Sequence, residues 1–330
     1  MQTSHRWTAV IFAVVVAARM GVAADPKNPA FTDPKKAGPD FALQGEYKGK
    51  TLTEEGEKVF GAQIVALGNG KFKIVGFPGG LPGDGWKRGD EQLTFEAEAK
   101  NGRLEIDADE ATVVVEKGAI TIEAGGEKVG TLKKVHRKSK TLGKKPPAGA
   151  VVLFDGKKES LSNWNGAKIV EGKYLGATNL SSKKGFGDHH LHIEFRTPFM
   201  PKSRGQGRGN SGVYVQSRFE VQVLDSFGLD GKNNECGGIY SVSAPAVNMC
   251  LPPLSWQTYD IDFTAAKYDG NKKVKNARIT VRHNGVVIHD NVELPKGTPG
   301  RLPEGPEPQG VFMQDHGNPV AFRNVWVVEK

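Results

Sequence analysis

His190-Leu-His-Ile-Glu-Phe-Arg196 sets the reading of the fold. Successive side chains on a β-strand point to opposite faces, so Leu191, Ile193 and Phe195 share one face and His190, His192, Glu194 and Arg196 the other. The same division recurs in Phe219-Glu-Val-Gln-Val-Leu224, with Phe219, Val221 and Val223 inward and Glu220 and Gln222 outward. Around these two, Val151 to Phe154, Lys168 to Leu175, Gly212 to Gln216, Thr258 to Phe263, Ala277 to His283, Val286 to His289, Gly310 to Gln314 and Ala321 to Val328 also read as strands. No stretch keeps helical spacing over three turns. About ten strands within residues 150–330 imply a two-sheet sandwich or jelly roll, because one flat sheet would leave a face and long edges exposed. Asn284-Gly285 adds a hairpin, since both residues accept the positive φ of a type I′ turn.

Further toward the N-terminus the same grammar is weaker. Lys71-Phe-Lys-Ile-Val75, Gln92-Leu-Thr-Phe-Glu96, Arg103-Leu-Glu-Ile106, Thr112-Val-Val-Val115 and Ile120-Thr-Ile122, separated by Gly, Asn and Asp, predict a small antiparallel β-domain over residues 41–135. Gly76-Phe-Pro-Gly-Gly-Leu-Pro-Gly-Asp-Gly-Trp86 reads as an irregular loop. It is no phosphate-binding loop, because no Gly-Lys-Ser/Thr opens a helix after it. Residues 25–40, polar and Pro-rich, read as a flexible lead-in, and residues 136–149 as a solvated linker. The chain is therefore expected to be all-β, a small antiparallel domain followed by a sandwich over residues 150–330.

Arg6, the apolar run Trp7 to Ala18 and the small residues ending at Ala24 read as a secretory signal peptide over residues 1–24, hence a periplasmic or secreted protein. The run is too short to span a bilayer, and no later segment is long and apolar enough. Losing Arg6 and Arg19 lowers the formal charge of +8 to +6. So mild an excess, without basic residues clustered among aromatics, does not indicate a nucleic-acid partner. The two cysteines, Cys236 and Cys250, would pair in an oxidising compartment, closing a loop of about 15 residues worth on the order of 3 kcal/mol; two free buried thiols are the alternative.

The outward rows carry the chemistry. Asn210-Ser211-Gly212 precedes one strand, Asp225 follows another, and Gln314-Asp-His316-Gly and Arg323-Asn324 lie near the C-terminus. Amides, carboxylates, a guanidinium and an aromatic surface suit a polyhydroxylated ring, because each hydroxyl both donates and accepts.

Leu153-Phe-Asp-Gly-Lys157 with Asn163-Trp164, Glu194-Phe-Arg196, Asn210-Ser-Gly-Val-Tyr214, Phe219-Glu-Val-Gln-Val-Leu-Asp225, Gly238-Ile-Tyr240, Trp256-Gln-Thr-Tyr259, His283-Asn-Gly-Val286, Gln314-Asp-His-Gly317 and Val320-Ala-Phe-Arg-Asn324 occur in order. Together they resemble the 3-keto-disaccharide hydrolase domain family over about residues 150 to 330. The resemblance implies a concanavalin-like lectin/glucanase sandwich, with action on 3-keto-glycosides in some members. The N-terminal half, with Gln44-Gly-Glu-Tyr-Lys-Gly49, looks like an extension of planctomycete-type secreted proteins and has no function attached.

A related glucanase clan carries Glu-x-Asp-x-x-Glu, with two carboxylates about 5 Å apart for retaining hydrolysis. Here Glu220-Val-Gln222-Val-Leu-Asp225 stands at those offsets, with an amide at the centre and a shorter acid last, which weakens that mechanism. Elimination from a 3-keto-glycoside needs instead one base, one acid and a group to stabilise an enolate. The expected catalytic residues are Glu220, His316 and Arg196, with Asn210, Gln222, Asp225, Gln314 and Tyr214 binding substrate. Each could equally be a satisfied structural polar group. No cofactor is required, although His190, His192 and Glu194 share a face and leave a divalent metal open. Three classes remain: an enzyme on oxidised glycosides, a non-catalytic carbohydrate-binding module, and a structural or interaction protein of the cell envelope. Convergence of Arg196, Glu220, Gln222 and His316 in one pocket would favour the first two.

Overall fold

The computed structural model describes residues 28–108 and 111–330. The expected signal peptide lies outside the described residues. The chain is almost entirely antiparallel β, and among the described residues no helix is long and apolar enough to cross a membrane.

The first unit contains β1 (Gly45–Thr53), β2 (Gly56–Gly68), β3 (Lys71–Pro78), the two-residue β4 (Leu81–Pro82) and β5 (Gly85–Trp86), β6 (Leu93–Glu98), β7 (Leu104–Ala108), β8 (Ala111–Glu116), β9 (Ala119–Ala124) and β10 (Glu127–Val135). Its eight-stranded sheet has the order β6-β3-β2-β1-β10-β9-β8-β7. Each long strand pairs with its neighbour along the chain, and β10 returns to pair with β1. This is an up-and-down meander rolled into a barrel. Its one seam without a ladder lies between β6 and β7, whose connection is joined by the Lys100–Arg103 bridge. Alternation explains the curl: Tyr47, Ile64, Phe72, Ile74, Leu104 and Leu132 point to one buried cluster, while Thr94, Glu96 and Glu98 on the other face of β6 stay exposed.

The lead-in is not a free tail from Phe31 onward. Phe31 exchanges both backbone hydrogen bonds with Phe199 at 2.9 Å, Asp33 caps the turn Pro34–Lys36, and Pro39–Leu43 forms a short helix. These residues close one end of the barrel, with the Phe41 and Phe199 rings 5.2 Å apart. The glycine-rich stretch is also more ordered than its composition suggests, because β3 continues through Gly76 and β4 pairs with β5. Gly80 and Gly85 have positive φ, and a Cβ on either would strike the backbone carbonyl of Asp84 or Gly79.

The second unit is a sandwich. Its larger sheet runs Ile169–Val170, Tyr174–Gly176, Ala321–Glu329, His189–Arg196, Gln257–Thr264, Ala277–His283, Val286–Leu294, with Val151–Phe154 also on Ala321–Glu329. The smaller runs Trp164–Asn165, Leu180–Ser182, Phe312–Met313, Ser211–Val215, Phe219–Val223. Leu191, Ile193 and Phe195 of one sheet and Phe219, Val221 and Val223 of the other bury into one core, as alternation requires. Phe219 meets Phe263 across it at 5.6 Å.

Cys236 and Cys250 lie in this core as free, buried thiols, so the expected disulfide is not formed. Cys236 Sγ faces the Tyr259 hydroxyl at 3.3 Å, and Cys250 Sγ points to the Leu224 and Leu251 carbonyls at 3.6 Å. In apolar surroundings a thiol is satisfied as a small hydrophobe.

Within the expected linker, residues 139–143 form a strap across the outer face of the larger sheet, while residues 144–149 stay exposed. Ser139 Oγ meets Thr258 Oγ1 at 2.6 Å, Thr141 Oγ1 donates to Asp260 at 2.6 Å, and the Gly143 N–H donates to Glu194 at 2.6 Å. The two units are also joined by Arg88, whose guanidinium donates to the carbonyls of Asp230, Gly231, Pro245 and Ala246 at 2.7–3.3 Å.

Candidate functional site

Glu220 sits on Phe219–Val223 with its side chain on the outer face of the smaller sheet, because Phe219 and Val221 take the inner face. Next to it Ser211–Val215 presents Gly212 and Tyr214 on the same face. The Tyr214 hydroxyl donates to Glu220 Oε2 at 2.8 Å, and Glu220 Oε1 occupies the space that a Cβ at Gly212 would need. The segment after Leu294 covers this pair: the Glu220 N–H donates to Thr298 Oγ1 at 2.8 Å, and Pro299 O lies 3.3 Å from the Tyr214 hydroxyl. Burial pushes the Glu220 carboxyl up to about 7, against the lowering effect of the Tyr214 hydrogen bond. Burial, and then the neighbouring Glu220 charge, push Tyr214 up as well. A carboxyl held near neutrality can give or take a proton at physiological pH.

Around it the structure gathers most of the expected amides. Gln222 Nε2 donates to Asn210 Oδ1 at 2.9 Å, and Asn210 Nδ2 to Gln206 O at 2.8 Å. The Gln314 N–H donates to Gly212 O at 3.0 Å, which places Gln314 beside the same strand, and its Oε1 is buried without a partner. His316 is exposed on the loop that follows. That loop is tied down by the Asn210 N–H, which donates to Asn318 Oδ1 at 2.8 Å.

Two expected members lie elsewhere. Arg196 is on the outer face of the larger sheet, where it pairs with Glu171 and lies over Tyr174 and Trp256 at 5.4 and 5.2 Å. Its strand and that of Glu220 belong to opposite sheets, and both polar rows face outward, so Arg196 cannot meet Glu220. Asp225 is fully buried against Arg208 at 2.6 Å, and Arg208 also donates to Ala66 O of the barrel at 3.1 Å. It is a structural ion pair within the sandwich, and its guanidinium reaches the barrel through Ala66 O. Paired-carboxylate hydrolysis thus loses its second acid.

His190, His192 and Glu194 do share a face, but apart from His190 Nε2, which is buried without a partner, their polar atoms are engaged by neighbouring side chains. His192 Nδ1 meets Asp260 at 2.8 Å and His190 Nδ1 meets Asp262 at 3.1 Å. Glu194 accepts from Arg323, Asn324 and the Gly143 N–H at 2.6–2.9 Å. Although burial pushes Glu194 up, bonds from His192, Asn324, Gly143 and Arg323 hold it down at about 2. Among the described residues no group of three His, Cys, Asp or Glu is placed to hold a metal ion.

Sequence reasoning missed Arg301, the cation that does stand at this site. It lies over the Phe312 ring at 3.8 Å, and its charge opposes the rise at Tyr214. Its only signal is a position in a long Pro- and Gly-rich connection without strand pattern, where functional residues often lie.

Fold and site together define an all-β, two-sheet sandwich protein with a single buried carboxyl among amides. The chain belongs to the 3-keto-alpha-glucoside-1,2-lyase-like domain family, whose model matches residues 149–328. Two solved structures from Parabacteroides distasonis ATCC 8503, each described as a "putative glycosyl hydrolase", are similar. One is 30% identical with a TM-score of 0.50, over 56% of this chain and 85% of that one. The other is 17% identical with a TM-score of 0.40, over 55% and 94%, and adds nothing to the assignment. No curated protein matches the chain.

Proposed function

We propose that the sandwich cleaves the glycosidic bond of 3-keto-glycosides by elimination and hydration, with Glu220 as the proton acceptor. The observation that carries this reading is one buried carboxyl with its pKa raised to about 7, flanked by amides rather than by a second acid. A ketone at C3 acidifies the C2 proton. Glu220 takes that proton, the C1–O bond breaks, the glycosidic oxygen leaves with a proton from His316 or water, and water then adds across C1 and C2. Gln222, Asn210 and Gln314 would bind hydroxyls, the free Gln314 Oε1 accepting from one. Arg301 replaces Arg196 as the cation near developing oxygen charge. Family membership and the description of the 30% identical protein support a carbohydrate substrate. The leader read in residues 1–24 would place the reaction in the periplasm or the medium.

Glu220 is only 3% exposed and Tyr214 fully buried, and this favours a second reading, sugar binding without turnover. A panel of 3-keto-glycosides beside their unoxidised parents separates the two. The enzyme reading expects aglycone release from the oxidised set alone, and a fall in kcat/KM of roughly 100-fold or more in Glu220→Gln. Full turnover by that variant would sink the catalytic assignment. Binding by the wild type with no turnover would establish the lectin-like reading.

A further inference from the structure

We infer that the N-terminal barrel is a second binding site, for an uncharged, hydrocarbon-rich small molecule such as an alkyl chain. The family model begins at residue 149 and leaves this unit without a role. Eight strands make a barrel whose interior is either filled by side chains or able to hold one small ligand. Here the two ends differ. At the end where β1 begins, Leu43, Tyr47, Phe72, Leu104 and Phe199 are buried and pack the interior solid.

Opposite Tyr47 and beyond it the inward positions shrink to Ala62, Gly76, Ala108 and Ala111, and a cavity of about 350 Å³ remains, bounded toward the β1–β2 turn by Thr51 and Phe60. That size lies within the roughly 300–1,000 Å³ of small-molecule pockets. Close packing leaves few voids larger than a water molecule in an ordinary core, so this space is not a packing defect of usual size. Its wall is apolar apart from Thr51. Phe60, Leu93, Phe95, Val113 and Ile122 line it and are only half-buried although they point inward. Gly76 is part of the device: a Cβ there would stand 3.1 Å from the Phe60 ring and 3.4 Å from Leu93. An interior with no charge and one hydroxyl rejects ions and sugars and accepts hydrocarbon.

The full chain is titrated with N-phenyl-1-naphthylamine, a neutral fluorescent probe, and the bound probe is displaced with 1-dodecanol. One saturable site is expected. Ala62→Phe and Ala108→Trp, which fill the space, should each weaken the probe by about tenfold or more, whereas Glu96→Gln on the outer face of β6 should not. Should the filled variants misfold, methyl NMR of the wild type decides. Dodecanol should shift Ile74, Ile106 and Ile122 and leave Ile193 and Ile261 of the sandwich core in place. Unsaturable binding, equal binding by the filled variants, or shifts confined to the sandwich methyls would overturn the inference.

Discussion

Glu220 and Glu194 are two glutamates on outward rows whose surroundings push them in opposite directions. Glu220 has one hydroxyl donor and little solvent, and its carboxyl rises to about 7. Glu194, no less buried, collects an imidazole, an amide, a guanidinium and a backbone N–H, and falls to about 2. For Glu220 the folded state holds a proton that the unfolded chain has already released between about pH 4.5 and 7, so its contribution to stability declines as pH rises through that window. The displacement from 4.5 to about 7 is worth on the order of 3 kcal/mol. Glu220→Gln is therefore expected to gain stability over the wild type between pH 5 and pH 8, measured by urea denaturation at both. An unchanged gap would mean that the carboxyl is not held neutral. Glu194 behaves in the opposite sense: its contribution is present above the ordinary carboxylate range and is lost as pH falls toward 2.

Among the elements, the pairing of Ser211–Val215 with Phe219–Val223 makes the site. The register sets Gly212 opposite Gln222 and Tyr214 opposite Glu220, so the missing side chain at Gly212 is what admits the carboxylate. Its φ is ordinary, and the constraint is space alone. Gly212→Ala should displace Glu220 from Tyr214 at a cost of roughly 1–3 kcal/mol of overpacking. Activity on a 3-keto-glycoside is then expected to fall at least tenfold with the circular dichroism unchanged, and wild-type kinetics in this variant would remove Gly212 from the site. The strap over residues 139–143 has the reverse role. By saturating Thr258, Asp260 and Glu194 it occupies the outer face of the larger sheet.

At the scale of the whole molecule, barrel and sandwich are joined by a set of polar contacts that includes Lys73 to Gly228 O and Arg204 to Leu67 O. Arg88 donates to four carbonyls of residues 230–246, and the buried Arg208–Asp225 pair reaches the barrel through Ala66 O. Breaking a buried ion pair from one side costs about 3–5 kcal/mol because the other charge is stranded. Asp225→Asn should accordingly lower the melting temperature while leaving KM untouched, since Asp225 touches no part of the site. Calorimetry of Arg88→Ala should separate the melting of barrel and sandwich, whereas a single transition at the wild-type temperature would show that the apolar contacts suffice.

The strands of the sandwich, the inward and outward sets of His189–Arg196 and Phe219–Val223, and the family were legible in the residues, because period-two alternation and local motifs are properties of the chain itself, whereas the barrel strands β1, β2 and β10, rich in Gly, Lys and Glu, carried no such signal. Glu220, Gln222, Asn210 and Tyr214 were found together because they lie on two strands adjacent in sequence. Alternation says which residues share a face of one strand, but not which sheet that strand joins. Arg196 and Glu220 both read as outward and stand on opposite sides of the sandwich. Asp225 was turned into an ion pair by Arg208, and the strap and the lead-in were ordered by partners far along the chain. The barrel closes only through the pairing of β10 with β1. These outcomes depend on long-range pairing, and the hollow end of the barrel follows from where small inward residues from separate strands meet.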